Sequence, residues 1–217
     1  MKIAIYTAII GEYEVPKDPL FKDEGVDYFL FTDQRVGSSV WNVKYVSHIG
    51  LTPRKTARSI KILSHEYLPD YDITIWVDAN FCQKKSIKPL IELMFDDVLI
   101  LNHPSRDCLY DEATTCVRDG HDYKEIIEAQ TVFYQRQGYP TKNGLVATGL
   151  ILRKKTEKVK LLCEDWWHEV LSKSGRDQIS FDYVAWINEI CIQKTDFNVL
   201  HEFFEHTKHK NQRKKYE

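Results

Sequence analysis

Short apolar runs rich in β-branched and aromatic residues, separated by longer segments of helical period, constrain this chain more than any other feature. The runs cover 2–10, 27–32, 41–46, 73–77, 98–102 and 145–152, and each reads as a strand. Between them, 53–68 places Ala57, Ile60, Leu63, Ser64 and Tyr67 on one face. Segment 156–171 does the same with Val159, Leu162, Cys163, Trp166 and Val170, and 86–95 and 178–190 read as shorter helices. Strands alternating with helices predict an α/β domain with a mixed, mostly parallel sheet flanked by helices. Ligands of such sheets gather at the carboxyl ends of the strands, and those ends are where chemistry is to be sought.

Length and composition narrow the class further. A chain of 217 residues, 43% apolar, reads as one domain over 1–217, whole or cut from a longer protein, with a core that needs no staples. Lys plus Arg number 30 against 32 Asp plus Glu, a balance that argues against nucleic acid as a partner. No apolar run approaches the roughly 18–20 residues of a membrane span. Residues 1–10 lack the long apolar region and small-residue cleavage site of a signal peptide. The 5 cysteines include no CxxC pair, so neither zinc nor a disulfide framework is expected, and reduced thiols suit a cytoplasmic protein. The end of the chain, 208–217, reads as a solvated basic tail.

Several constellations bear on chemistry. The strand at 73–77 runs into Asp78-Ala79-Asn80, whose two oxygen-bearing side chains either face one hard cation or close an Asx turn. Thr52-Pro53 is a helix start, yet Arg54 and Lys55 in the first turn have the wrong sign for the helix dipole. Arg54, Arg58, Lys61 and His65 then form a basic stripe, which is either a solvated face or an anion site, phosphate being the obvious anion. The segment from His103 to Glu112, with Arg106 and Cys108, follows a strand and reads as a binding loop or a salt-bridged structural loop. Cys108 has no evident histidine partner for nucleophilic work. Gly144 and Gly149 flank and interrupt a strand, marking either a bulge or a close approach. Asp177, after Ser174-Gly175-Arg176, is a helix cap or a catalytic carboxylate, and Trp166 belongs to the core stripe.

Taken in order, Tyr6-Thr7-Ala8, Phe31-Thr32-Asp33, Pro53-Arg54 with Arg58 and Lys61, Ile75 to Asn80, His103 to Cys108, and Arg176 to Phe181 resemble a known family. It is the glycosyltransferase-like family of plant mucilage and pollen proteins, bacteria and large DNA viruses, once classed as a domain of unknown function. The resemblance implies a GT-A-type, Rossmann-like nucleotide-sugar-binding domain. It further implies a metal-dependent glycosyltransferase that moves a hexose or deoxyhexose, glucose- or rhamnose-like, from a UDP-sugar to a glycan or glycoprotein acceptor, with retention. On that basis Thr7, Ala8 and Asp33 line the nucleotide pocket, Arg58 and Lys61 face the diphosphate or the acid cluster, and Ala79, His103 and Arg106 complete the donor site. Asp78 and Asn80, with His206 or His209, hold Mn²⁺ or Mg²⁺, and Asp177 and Gln178 lie under the donor sugar as catalytic residues. Asn80 departs from the usual second acid of the family's metal motif. Two rival readings share these residues: a metal-dependent nucleotide-sugar hydrolase or nucleotidyltransferase, and a catalytically inactive carbohydrate-binding relative.

Overall fold

The computed structural model describes residues 1–11, 14, 17–48 and 50–207. The strands are β1 (Ile3–Ile9), β2 (Val26–Thr32), β3 (Asn42–Tyr45), β4 (Ile73–Val77), β5 (Phe81–Gln83), β6 (Val98–Asn102), β7 (Val146–Lys154), β8 (Gln193–Thr195) and β9 (Phe204–His206). The helices are α1 (Pro53–Ile62), α2 (Ser64–Tyr67), α3 (Lys88–Glu92), α4 (Leu109–Arg118), α5 (Lys124–Arg136), α6 (Glu157–Ser172), α7 (Asp177–Ile187) and α8 (Asn198–Phe203). Seven strands form one sheet in the order β3-β2-β1-β4-β7-β6-β8. Every neighbouring pair is parallel except those made by β7, which runs against both β4 and β6. This is the Rossmann-like α/β domain with a mixed, mostly parallel sheet that the alternating pattern predicts.

The sheet is buried on both faces, which is why β1 and β4 are nearly continuous apolar runs rather than alternating ones. One face carries Tyr6, Trp76, Ile100 and Ile151 under α1, α4, α5, α6 and α7. The other carries Ile5, Ile75, Leu99 and Leu152 under α3 and α8. Strand order reverses between β1 and β4, so their carboxyl ends border the switch-point crevice of an open α/β sheet. Because β7 is antiparallel, its beginning rather than its end lies at that same edge, with Val77 opposite Leu150.

Two expectations need correction. The helix predicted over 53–68 is broken at Leu63, which has ψ 47°. The cause lies far away in the sequence, at Arg153 on β7, only 2% exposed. Its guanidinium donates to the carbonyls of Lys61 (2.7 Å) and Ile62 (2.8 Å) and to the hydroxyl of Tyr6. A helix leaves its last carbonyls unpaired, and a cation there is favourable, so the buried arginine takes the place of a continued turn. The segment from His103 to Glu112 is a loop only as far as Cys108; α4 begins at Leu109.

Candidate active site

Helix α1 brings the basic stripe to the carboxyl edge. Thr52 caps it by accepting from the Lys55 amide (3.2 Å), and Pro53 occupies the first turn as predicted. The wrong-signed cations of that turn bind carbonyls from other elements, Arg54 on His121 (2.9 Å) and Lys55 on Leu171 (2.7 Å). Further along, the stripe is no solvated face. Lys61 is 1% exposed, and its Nζ lies 2.6 Å from Asp177 Oδ2, 3.0 Å from Thr148 Oγ1 and 3.6 Å from Asp78 Oδ1. These are the surroundings of an ammonium: three acceptors, two of them carboxylates. Arg58 Nε is ion-paired with the other oxygen of Asp177 at 3.1 Å, without the alignment of a hydrogen bond.

Asp177 opens α7 but does not cap it. The N-cap is Arg176, and no side chain makes a capping bond there. Instead both carboxylate oxygens turn inward, where Lys61, Arg58 and the Thr148 hydroxyl (3.0 Å) surround them. Burial alone pushes this carboxyl up, but Arg58 and Lys61 outweigh it and hold Asp177 well below the usual carboxylate range. Burial draws the Lys61 ammonium below the ordinary lysine value, against the pull of Asp177 and Asp78. The Asp177 backbone is fixed as well, its carbonyl accepting from the buried Trp166 indole (2.9 Å). Upstream, Asp122 accepts from the Ser174 hydroxyl (2.8 Å) and the Gly175 amide (2.9 Å), which sets the approach to α7. Gln178 stands next to Asp177, half-buried in the first turn of α7.

Asp78 lies on the other side of Lys61's contacts and is handled differently. Asp78 to Phe81 form a tight turn, the Phe81 amide donating to the Asp78 carbonyl (3.0 Å), so Asp78 and Asn80 occupy its first and third positions. Oδ1 of Asp78 accepts from the Trp76 indole (2.8 Å) and faces Lys61. Oδ2 lies towards Gly149, where an added Cβ would come within 3.6 Å. The 3.6 Å is ordinary van der Waals contact, and Gly149 instead lies in a bulge of β7, where the register with β6 jumps from Ile151 to Ala147; the Asp78 side chain remains 39% exposed. Strand β9 pairs with β5 directly beyond the turn and sets His206 opposite Phe81. His206 Nε2 is 3.1 Å from the Asn80 amide, and Thr207 donates twice to the Asn80 carbonyl (2.7 and 2.9 Å). Of the two late histidines, His206 therefore meets the turn; His209 and the basic tail lie outside the described residues.

The donor set of Asp78, Asn80 and His206 suits a small hard divalent cation that keeps open positions for phosphate oxygens and water. The 3.1 Å contact joins the Asn80 amide nitrogen, a hydrogen-bond donor, to His206 Nε2, so a cation here would take Asn80 through Oδ1. Only one carboxylate and one imidazole contribute. Among the described residues, no three His, Cys, Asp or Glu side chains converge as a metal cage.

The remaining predicted residues surround this centre with less freedom. Thr7 and Ala8 face opposite sides of the sheet, as strand alternation requires. Ala8 packs on the α1 side. Thr7 and Ala79 line a narrow cleft with Val77 and Trp41, where the buried Thr7 hydroxyl has no hydrogen bond among the described residues. Asp33 uses both oxygens on the Gly11 amide (2.9 and 3.1 Å) and places one 2.8 Å from His48 Nε2, so it clamps the turn after β1. His103 accepts from the amides of Ser105 (3.2 Å) and Arg106 (3.0 Å) through Nδ1, shaping its own loop. Burial first, then the Arg106 charge, draws this imidazole below its ordinary value despite Glu112. Arg106 closes the loop on buried Glu112 at 2.6 Å, and Arg176 stands 3.7 Å from the same carboxylate. The salt-bridged form is the one realised. Thr148, Trp76 and Arg176 complete the centre; Trp76 and Arg176 fall inside stretches that carry the family resemblance, whereas Thr148 has no signal beyond the glycine beside it.

Residues 7–216 match the TOD1/MUCI70, glycosyltransferase-like domain. No curated protein matches the chain. The match covers nearly all of the sequence and runs through each element that borders the switch-point crevice, from Thr7 to the β9 strand. The chain belongs to the TOD1/MUCI70 glycosyltransferase-like domain family.

Proposed function

We propose that this protein is a metal-dependent glycosyltransferase that takes a hexosyl or deoxyhexosyl group from a UDP-sugar and retains its anomeric configuration. The observation that supports the reading is the Asp78–Asn80 turn at the end of β4, with Asn80 against His206 on one side and Asp78 facing Lys61 of the Lys61–Asp177–Arg58 cluster on the other. Asp78 Oδ2, Asn80 and His206 would hold Mn²⁺ or Mg²⁺. Such an ion supplies Lewis-acid stabilisation of the departing diphosphate.

The chain's own residues account for the rest. Lys61 and Arg58 add fixed positive charge next to the leaving group, pre-aimed and shielded from water, where such charge is most effective. Asp177 is a poor proton acceptor, because its oxygens are already bonded and its carboxyl titrates low. Its role is to hold Lys61 and Arg58 in position and to balance positive charge developing on the sugar. A departing diphosphate oxygen, on the face that retention requires the acceptor to approach, takes the acceptor hydroxyl's proton. Gln178, Arg106 and His103 border the sugar and acceptor side, and Thr7 and Ala8 the nucleoside side.

The test is UDP release from a panel of UDP-sugars with a glycan acceptor and Mn²⁺, with the product anomer assigned by NMR. Transfer with an α-linked product from an α-linked donor is expected. Release of a sugar phosphate without an acceptor would move the protein to the hydrolase class. One observation favours a second reading, a catalytically inactive carbohydrate-binding relative: Asn80 leaves the metal set with a single carboxylate. That reading gains if UDP binds tightly and no acceptor is glycosylated.

A further inference from the structure

The fourth member of the basic stripe, His65, takes no part in the carboxyl-edge site. It sits in α2, beyond the break at Leu63, and lines an open pocket of about 450 Å³ beside the amino end of β4 and the far end of β7. Both of its ring nitrogens are buried and lack a hydrogen bond. Arg153 lines the same pocket, and its buried Nε also has no partner. The rest of that guanidinium is spent on two carbonyls, the Tyr6 hydroxyl and the Cys163 thiol, and among the described residues it forms no ion pair with a carboxylate. A nearly fully buried positive charge is therefore compensated only by dipoles, which is costly unless an anion joins it.

The pocket rim adds cations. Lys154, Lys155 and Lys160 line it, with Glu157 the one acid among the lining residues. Glu164 stands outside the lining, 3.8 Å from His65 and 3.9 Å from Lys160, too far for a hydrogen bond with either. Burial draws His65 below its ordinary value, so the neutral ring offers one N–H to a ligand. Helix α6 also begins here, at Glu157, with its positive dipole end towards the pocket.

We propose that this pocket is a second ligand site, which binds a phosphate-sized oxyanion between Arg153, His65 and the three lysines. It is separate from the carboxyl-edge site, yet Arg153 joins the two by its bond to the Lys61 carbonyl. The proposal does not depend on the glycosyltransferase reading.

The experiment is a calorimetric titration of the intact chain with inorganic phosphate, at constant ionic strength and without nucleotide. Saturable binding is expected, weakened about tenfold or more in Lys154→Ala/Lys160→Ala, since each charge-assisted contact to phosphate is strong. His65→Leu, which keeps the fold's packing but offers no N–H, should weaken it too. Arg58→Ala should leave it unchanged. Absence of saturable binding would overturn the proposal. So would phosphate binding that survives the double lysine substitution, or that Arg58→Ala abolishes, since the anion would then sit at the carboxyl edge.

Discussion

Two neighbouring parts of the carboxyl edge treat charge in opposite ways. Under α1 and α7, Lys61 and Arg58 share the Asp177 carboxylate, with Lys61 and Asp177 1% and 2% exposed. On the β4–β5 turn, Asp78 is 39% exposed and its second oxygen is left open beside Gly149. The first arrangement is built once, at folding, and needs no visitor. The second leaves one carboxylate oxygen open, which is where the proposed function puts an exchangeable cation. On that proposal the work is divided: permanent counter-ions fix geometry, and an open acid is kept for the exchangeable ligand.

Breaking the buried half should have the larger effect. Asp177→Ala leaves Lys61 and Arg58 facing each other without their carboxylate, and losing one partner of a buried ion pair costs about 3–5 kcal/mol. Urea unfolding measures that loss, and Asp177→Asn, which keeps the shape, should still lower turnover by about 100-fold. A variant with a third of the wild-type turnover would return Asp177 to a structural role.

The same half predicts an acid limit. Asp177 titrates lower in the folded chain than the unfolded value of about 3.9, so its stabilisation is fully present above that pH. The contribution is lost as pH falls below about 4 towards the folded value, and Asp177→Asn should flatten the stability profile there. An unchanged profile would mean that Asp177 is not held by the two cations.

Gly11 tests the approach to the site. Its φ is +77°, and an added Cβ would lie 2.8 Å from the Cβ of Pro53, the first residue of α1. Gly11→Ala should therefore cost about 1–3 kcal/mol through strain and the shift of α1. Thr148→Val removes the hydroxyl that bridges Lys61 and Asp177 and should cost about 1–3 kcal/mol, with Thr148→Ser restoring most of it. On the open half, Asn80→Asp should leave stability nearly unchanged and tighten Mn²⁺ binding, which calorimetry reads directly.

Legibility in the sequence followed length and locality. The long buried strands show as apolar runs, and Asp78 and Asn80 stand out because they end one of them. Strands β5, β8 and β9 span three residues each, too few for any period to register. Helix α4 hides behind polar residues such as Asp111, Thr114 and Thr115. The break in α1 is dictated by Arg153, 92 residues from Lys61, and no local pattern announces it. Thr148 was invisible for the same reason, since it matters only once Lys61, 87 residues earlier, and Asp177, 29 later, are folded onto it. For Asp177, read as a cap or a catalytic carboxylate, the same long-range contacts exclude the cap, since its oxygens meet Lys61, Arg58 and Thr148 instead.

The central claim, that the Asp78 turn receives a metal-bound nucleotide diphosphate beside the fixed Lys61–Asp177–Arg58 cluster, is tested most directly by titrating UDP calorimetrically with and without Mn²⁺. Wild type should bind UDP at least about tenfold more tightly with the metal, a gain of about 1.4 kcal/mol. Asp78→Ala should lose that gain, at a cost of about 1–3 kcal/mol in stability because the buried Trp76 indole loses its acceptor. Metal-stimulated UDP binding that persists in Asp78→Ala would contradict the account.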